Sequence, residues 1–130
     1  MEEKKYKILL VDDDNFLLNM YSMKFTKAGM DVVCINDPLE ALDKLRAGYT
    51  PDIAILDVVM PGIDGIELLS KIKEEKLVSN GIFIILSNQG QQSDIDRAKD
   101  LGIHGYIVKA TTIPSEVLKE VLRIAKENGK

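Results

Sequence analysis

Five short apolar runs punctuate the chain at near-regular intervals: KILLV (7–11), DVVCI (31–35), DIAIL (52–56), IFIIL (82–86) and GYIVK (105–109). Each is rich in β-branched residues and bounded by turn chemistry, as buried strands are. The segments between them carry helical spacing. Residues 14–29 put Leu17, Leu18, Tyr21 and Phe25 on one stripe and end at Gly29, the residue type that closes helices. Asp37-Pro38-Leu39-Glu40 offers an N-cap, a proline at the first helical position and a capping-box glutamate. Asp64-Gly65-Ile66-Glu67 repeats the box ahead of LLSKIKEE, and residues 93–101 and 114–128 supply two further helices. Strands alternating with helices predict a doubly wound α/β domain: a five-stranded parallel sheet with helices on both faces and right-handed crossovers.

The polar residues that end these runs are the next constraint. The first run meets Asp12-Asp13-Asp14, the third Asp57, the fourth Ser87, and the fifth ends in Lys109. Ligands of open α/β sheets bind beyond the carboxyl ends of the strands, where the strand order reverses. Only the second run ends quietly, at Ile35-Asn36. A strand order of 2-1-3-4-5 accounts for that silence by placing the second strand outermost.

Crowded carboxylates raise one another's pKa and resist desolvation, so three at one sheet edge need compensation. A divalent cation relieves them, and a few carboxylates supplemented by water suit Mg²⁺. A lysine and a hydroxyl beside one aspartate then make a receptor for a phosphoryl group. Phosphoryl transfer asks chiefly for positioning and charge neutralisation, and a carboxylate can serve as the nucleophile.

The stretches ILLVDDDN, IAILDVVMPGIDG, FIILSN and GYIVKA resemble the receiver domains of two-component response regulators, in order and spacing along essentially the whole chain. The resemblance implies a (βα)5 flavodoxin-like fold and a single receiver domain over 1–130, with its core at about 6–128 and no output domain, of the chemotaxis or sporulation type. It implies that Asp57 accepts a phosphoryl group from a sensor histidine kinase or phosphotransfer protein. Asp12, Asp13, Asp57 and the main-chain carbonyl of Val59 would hold Mg²⁺ or Mn²⁺, and Ser87 and Lys109 would bind the phosphoryl oxygens. Ser87 and Tyr106 take the switch positions, which signal through the surface of the fourth helix, fifth strand and fifth helix to a downstream protein. Such a protein catalyses its own phosphorylation and slow dephosphorylation without being a turnover enzyme.

Three positions depart from the family pattern. Val59, two residues after the acceptor, cannot orient an attacking water, which implies a persistent phosphoryl group; Gln89 partly compensates if it reaches that water. Ser87-Asn88-Gln89 is bulkier than usual and narrows access. Ala110 follows Lys109 where proline is common; a cis bond there costs about 2.5–4 kcal/mol, against 0.5–1 before proline. The dependence of phosphate geometry on the lysine favours cis.

Plainer roles fall to other residues. Asp14 and Asp64 read as helix N-caps, His104 as an exposed loop residue, and Met20, Met23, Met30 and Met60 as packing residues. Cys34, the single cysteine, reads as a buried free thiol. Tyr106 has a second reading, as a cover for the edge strand. A pseudo-receiver that binds partners without being phosphorylated is the alternative function. A phosphatase of the aspartyl-phosphate type needs a second acid where Val59 stands, and a flavin-phosphate binder needs a glycine- and hydroxyl-rich loop in place of the acidic one.

Composition limits the partners. With 17 basic and 21 acidic residues the net charge is −4, and no basic run invites nucleic acid or an anionic membrane. No signal peptide precedes the first strand, and no apolar stretch approaches the roughly 18 residues that span a bilayer. A cytoplasmic location is expected.

Overall fold

The computed structural model describes residues 5–60, 62–87, 92–109 and 113–130. Strands and helices alternate strictly: β1 (Lys7–Val11), α1 (Asn15–Lys27), β2 (Asp31–Ile35), α2 (Pro38–Arg46), β3 (Ile53–Asp57), α3 (Gly65–Glu74), β4 (Ile82–Ser87), α4 (Gln92–Asp100), β5 (Gly105–Val108) and α5 (Pro114–Glu127). All strand pairs are parallel, in the order β2-β1-β3-β4-β5. The inferred order therefore holds, and the quiet end of β2 lies at the sheet's outer edge. β3 and β4 are buried throughout, whereas the outer strands β2 and β5 are half-covered, because each has a neighbour on one side only.

Local chemistry sets the helix ends. The Asp14 carboxylate accepts the Phe16 and Leu17 N–H groups at 3.0 and 3.2 Å, and the Asp37 carboxylate accepts that of Leu39 at 3.1 Å. The reciprocal capping box closes at Asp64 and Glu67. Glu40 does not complete the box, and Asp37 alone caps α2. Gly29 follows α1 at φ +92°, the left-handed exit expected of it.

Side-chain alternation divides the core in two. Ile8 and Leu10 of β1, Ile53 and Ile55 of β3, Ile84 of β4 and Ile107 of β5 pack beneath α1 and α5. Leu9, Val11, Ala54, Leu56, Phe83 and Ile85 pack beneath α2, α3 and α4. Met30 and Met60 are core residues, but Met23 is 74% exposed: it stands on the outer side of α1, where nothing covers it. Cys34 is only half-buried, since β2 is an edge strand.

His104 also differs from expectation. Its Nδ1 accepts the Phe83 N–H at 3.0 Å, its own backbone N–H donates to the Phe83 carbonyl at 2.8 Å, and its ring stacks on that of Phe83. The preceding turn passes through Gly102 at φ +82°, and the imidazole supplies the acceptor for Phe83. The residue closes the start of β5 against β4.

Candidate functional site

Strand register brings the sequence-distant acids together. Val11 pairs with Leu56 across β1 and β3, so one further step along each strand reaches Asp12 and Asp57. Ser87, at the end of β4, pairs with Val108, and Lys109 follows. Among the described residues, the buried polar or charged ones are Asp12, Asp57, Ser87 and Lys109, each no more than 8% exposed. All four lie at the carboxyl edge, on the two sides of the reversal between β1 and β3. Asp13 is exposed at the same edge.

The Lys109 ammonium donates to Asp12 Oδ2 at 2.8 Å and lies 3.2 Å from Asp57 Oδ1. Asp12 Oδ1 accepts the Asp14 N–H at 2.9 Å, which pins the loop between β1 and α1. Carboxylate oxygens of Asp12, Asp13 and Asp57 lie within 4.8 Å of one another. Burial, followed by the charge of Asp12, pushes the Asp57 carboxyl up to about 7, although Lys109 pulls the other way. Burial alone would lower the Lys109 pKa, but its bond to Asp12 and the charge of Asp57 raise it above the ordinary value, so it stays an ammonium. Three carboxylates facing one ammonium leave two negative charges uncompensated when all are ionised. Oxygen donors with that deficit fit a hard divalent cation.

Alternation also decides which groups share a face. Asp12 continues the row of Ile8 and Leu10, Asp57 that of Ile53 and Ile55, and Lys109 that of Ile107, all on the side of α1 and α5. Ser87 continues Phe83 and Ile85 on the opposite side, where half-buried Tyr106 also packs. The site straddles the sheet edge: carboxylates and ammonium on one face, hydroxyl and aromatic on the other. Val59 points its side chain into solvent at 72% exposure. Asn88, Gln89 and the Lys109–Ala110 peptide lie outside the described residues.

Gly65 shapes the site in a way that its place beside the Asp64 cap does not suggest. Its N–H donates to the Val58 carbonyl at 2.9 Å, and a Cβ there would collide with the Asp57 carbonyl. Only glycine lets α3 begin this close to the acceptor strand. The sequence signal was the glycine at the first helical position, where a better helix former would serve if space allowed. A concavity of about 470 Å³ beside Arg46, Tyr49 and Asn80 opens elsewhere, below the amino ends of the strands. Arg46 there is already bonded twice to Glu75, at 2.8 and 2.6 Å; the paired charges of the carboxyl edge are absent from its lining.

The sequence profile of the response regulator receiver domain matches residues 8–123. The chain belongs to the response regulator receiver family. A probable transcriptional regulator, ycf29 of Pyropia yezoensis, is 35% identical over 113 residues, covering 87% of this chain and 50% of the relative. A chemotaxis protein CheY homolog of Campylobacter jejuni is 32% identical over 117 residues, covering 89% of this chain and 88% of that one. The solved chemotaxis response regulator CheY4 of Vibrio cholerae superposes with a TM-score of 0.83 at 27% identity, over 93% of this chain and 99% of that one. This receiver domain spans about half the length of the first transcriptional regulators it matches. Its fold is the flavodoxin-like (βα)5 arrangement of CheY-like receivers, and none of its described helices is long and apolar enough to cross a membrane.

Proposed function

We propose that this receiver domain takes a phosphoryl group onto Asp57 from a phosphohistidine, on a sensor histidine kinase or phosphotransfer protein, in the cytoplasm. The observation that carries the reading is the buried Asp57 carboxylate, with Lys109 at 3.2 Å and two further acids beside it. An Asp57 oxygen attacks phosphorus in line, the P–N bond breaks, and its electron pair returns to the departing imidazole. Lys109 and Ser87 bind the equatorial oxygens. Asp12, Asp13, Asp57 and the Val59 carbonyl would hold Mg²⁺ or Mn²⁺, which when bound neutralises charge on the transferred group. The protonation state of the acceptor matters as well: Asp57 must be ionised to attack, and a cation beside it opposes the burial that raises its pKa.

Phe16, Val59 and Ile113 stay exposed, and each follows the carboxyl end of a strand. Apolar side chains around an acidic pocket suit a protein donor better than a small one. Residues 1–130 act as one receiver unit in this reading. It catalyses its own modification without turnover, and Ser87 and Tyr106 relay the modification to a protein partner through α4, β5 and α5.

Incubation with Mg²⁺ and acetyl phosphate tests this by intact mass. One added phosphoryl group is expected on wild type, none on Asp57→Asn and none after chelation. Slow decay of the adduct once donor is removed is expected from Val59. No adduct on wild type would turn the reading toward a pseudo-receiver.

A further inference from the structure

The third acid of the run ILLVDDDN lies outside the group of oxygens formed by Asp12, Asp13 and Asp57. The side chain of Asp14 is engaged elsewhere. One carboxylate oxygen, Oδ1, accepts the N–H groups of both Phe16 and Leu17, at 3.0 and 3.2 Å, and so caps α1. The backbone N–H of the same residue donates to Asp12 Oδ1 at 2.9 Å. Asp14 thus joins the helix on one side and a buried site carboxylate on the other.

Three bonds hold Asp12, and they differ in kind. Its backbone N–H donates to the Ile35 carbonyl at 3.2 Å, which ties the main chain to the end of β2. Its Oδ2 accepts from the Lys109 ammonium at 2.8 Å, and its Oδ1 from the Asp14 N–H. With both oxygens engaged, the carboxylate cannot rotate without breaking a bond. The lysine bond is the movable one, because the ammonium is a compact charge on a flexible four-carbon stem. A phosphoryl group on Asp57 would compete for it. The Asp14 N–H is fixed to the main chain. The cap keeps Asp14 extended, at φ −89° and ψ 100°, and α1 behind it is seated in the core through Leu18, Tyr21 and Phe25.

We propose that Asp14 is a positioning residue for the cation site: by capping α1 it holds its own N–H against Asp12, and so orients the carboxylate that Lys109 and the cation share. The cap then acts on a functional group as well as on a helix end. When Lys109 turns toward a phosphoryl oxygen, the Asp14 N–H is the bond that still orients the Asp12 side chain. Hydrogen bonds that orient a ligand carboxylate change metal affinity by about 10- to 100-fold when they are lost. The inference rests on the reading of Asp12 as a cation ligand given above.

Calorimetric titration of the full chain with Mg²⁺ tests it, at high salt, where the charge of an exposed acid is screened. Asp14→Ala removes the cap and is expected to weaken Mg²⁺ binding by about tenfold. Asp14→Asn and Asp14→Ser lack the charge but still cap a helix, and both are expected to bind Mg²⁺ at wild-type affinity. Asp37→Ala is the control for stability. It removes the cap of α2, at the outer edge of the sheet, where the Asp37 carboxylate accepts the Leu39 N–H at 3.1 Å. Its urea midpoint is expected to fall as that of Asp14→Ala does, with Mg²⁺ affinity unchanged. Equal Mg²⁺ affinity in wild type and Asp14→Ala would overturn the inference alone. An equal loss in Asp14→Asn would also overturn it, by assigning the effect to charge, and so would an equal loss in Asp37→Ala, by assigning it to stability. Wild type that binds no Mg²⁺ would overturn the cation-site reading and the inference with it.

Discussion

Asp57 is poised between its two protonation states at neutral pH, because burial and Asp12 together push it up to about 7. In the unfolded chain its pKa is that of an ordinary aspartate, about 3.9. The folded state therefore binds more protons between these values, and stability falls as pH rises from 4 through 7. Without divalent cations, Asp57→Asn should be more stable than wild type at pH 8, by on the order of 3 kcal/mol. The gain should shrink as pH falls through about 4 and approach zero near pH 3, where the wild-type carboxyl is largely protonated whether folded or not. Urea midpoints in chelator across that range check it, and a pH-independent difference would contradict the assignment. At this scale the sequence announced the acids but hid their pairing. Nothing local connects Lys109 to Asp12, whose side chains meet across 97 residues of chain.

At the scale of elements, the caps were plain in the sequence and the joint between β4 and β5 was not. His104 acts there as a neutral acceptor for the Phe83 N–H. Burial lowers its pKa and Lys73, whose ammonium sits over the Phe83 ring, lowers it further; a smaller opposing pull from the Phe83 backbone does not reverse this. A histidine with a lowered folded pKa contributes stability above about pH 6.5, its unfolded value, and loses it as pH falls through the folded one. His104→Gln can still accept a hydrogen bond but does not titrate. The difference in urea midpoint between wild type and this variant should move against wild type from pH 7 to pH 5. Parallel curves would remove His104 from the pH response. A turn histidine looks exposed in sequence because its acceptor role depends on a strand 21 residues away.

For the whole molecule, the negative charge that one ammonium leaves uncompensated among three acids at the carboxyl edge predicts that stability depends on cations, most of all above pH 7, where Asp57 ionises. A ligand that binds only the folded state adds about 2.7 kcal/mol at a hundred times its dissociation constant. Mg²⁺ should raise the urea midpoint of the receiver domain, and chelator should reverse the rise. Asp13→Asn, at an exposed position, should weaken the response while leaving metal-free stability within about 0.5 kcal/mol of wild type. The same Mg²⁺ response in both proteins would take Asp13 out of the metal site.

Periodicity, turn residues and caps act within a few residues of chain, and they were enough for the sequence to determine five strands and five helices in strict alternation. The strand order was inferred from the strand ends, since only the second run ends without an ionic or hydroxyl group. The strand-end residues were legible for a related reason: an ionic group at the end of a buried run stands out wherever the run packs. Only the tertiary structure decided which helices cover each face: Asp12, Asp57 and Lys109 continue the rows that pack beneath α1 and α5, and Ser87 continues the row of Phe83 and Ile85, against which Tyr106 also packs. It likewise decided that α3 begins against the Asp57 carbonyl, and that Met23 faces outward while His104 turns in. Each of these depends on which strand lies next to which, and on strand register. Those are set by the packing of the whole core, beyond the reach of any single segment.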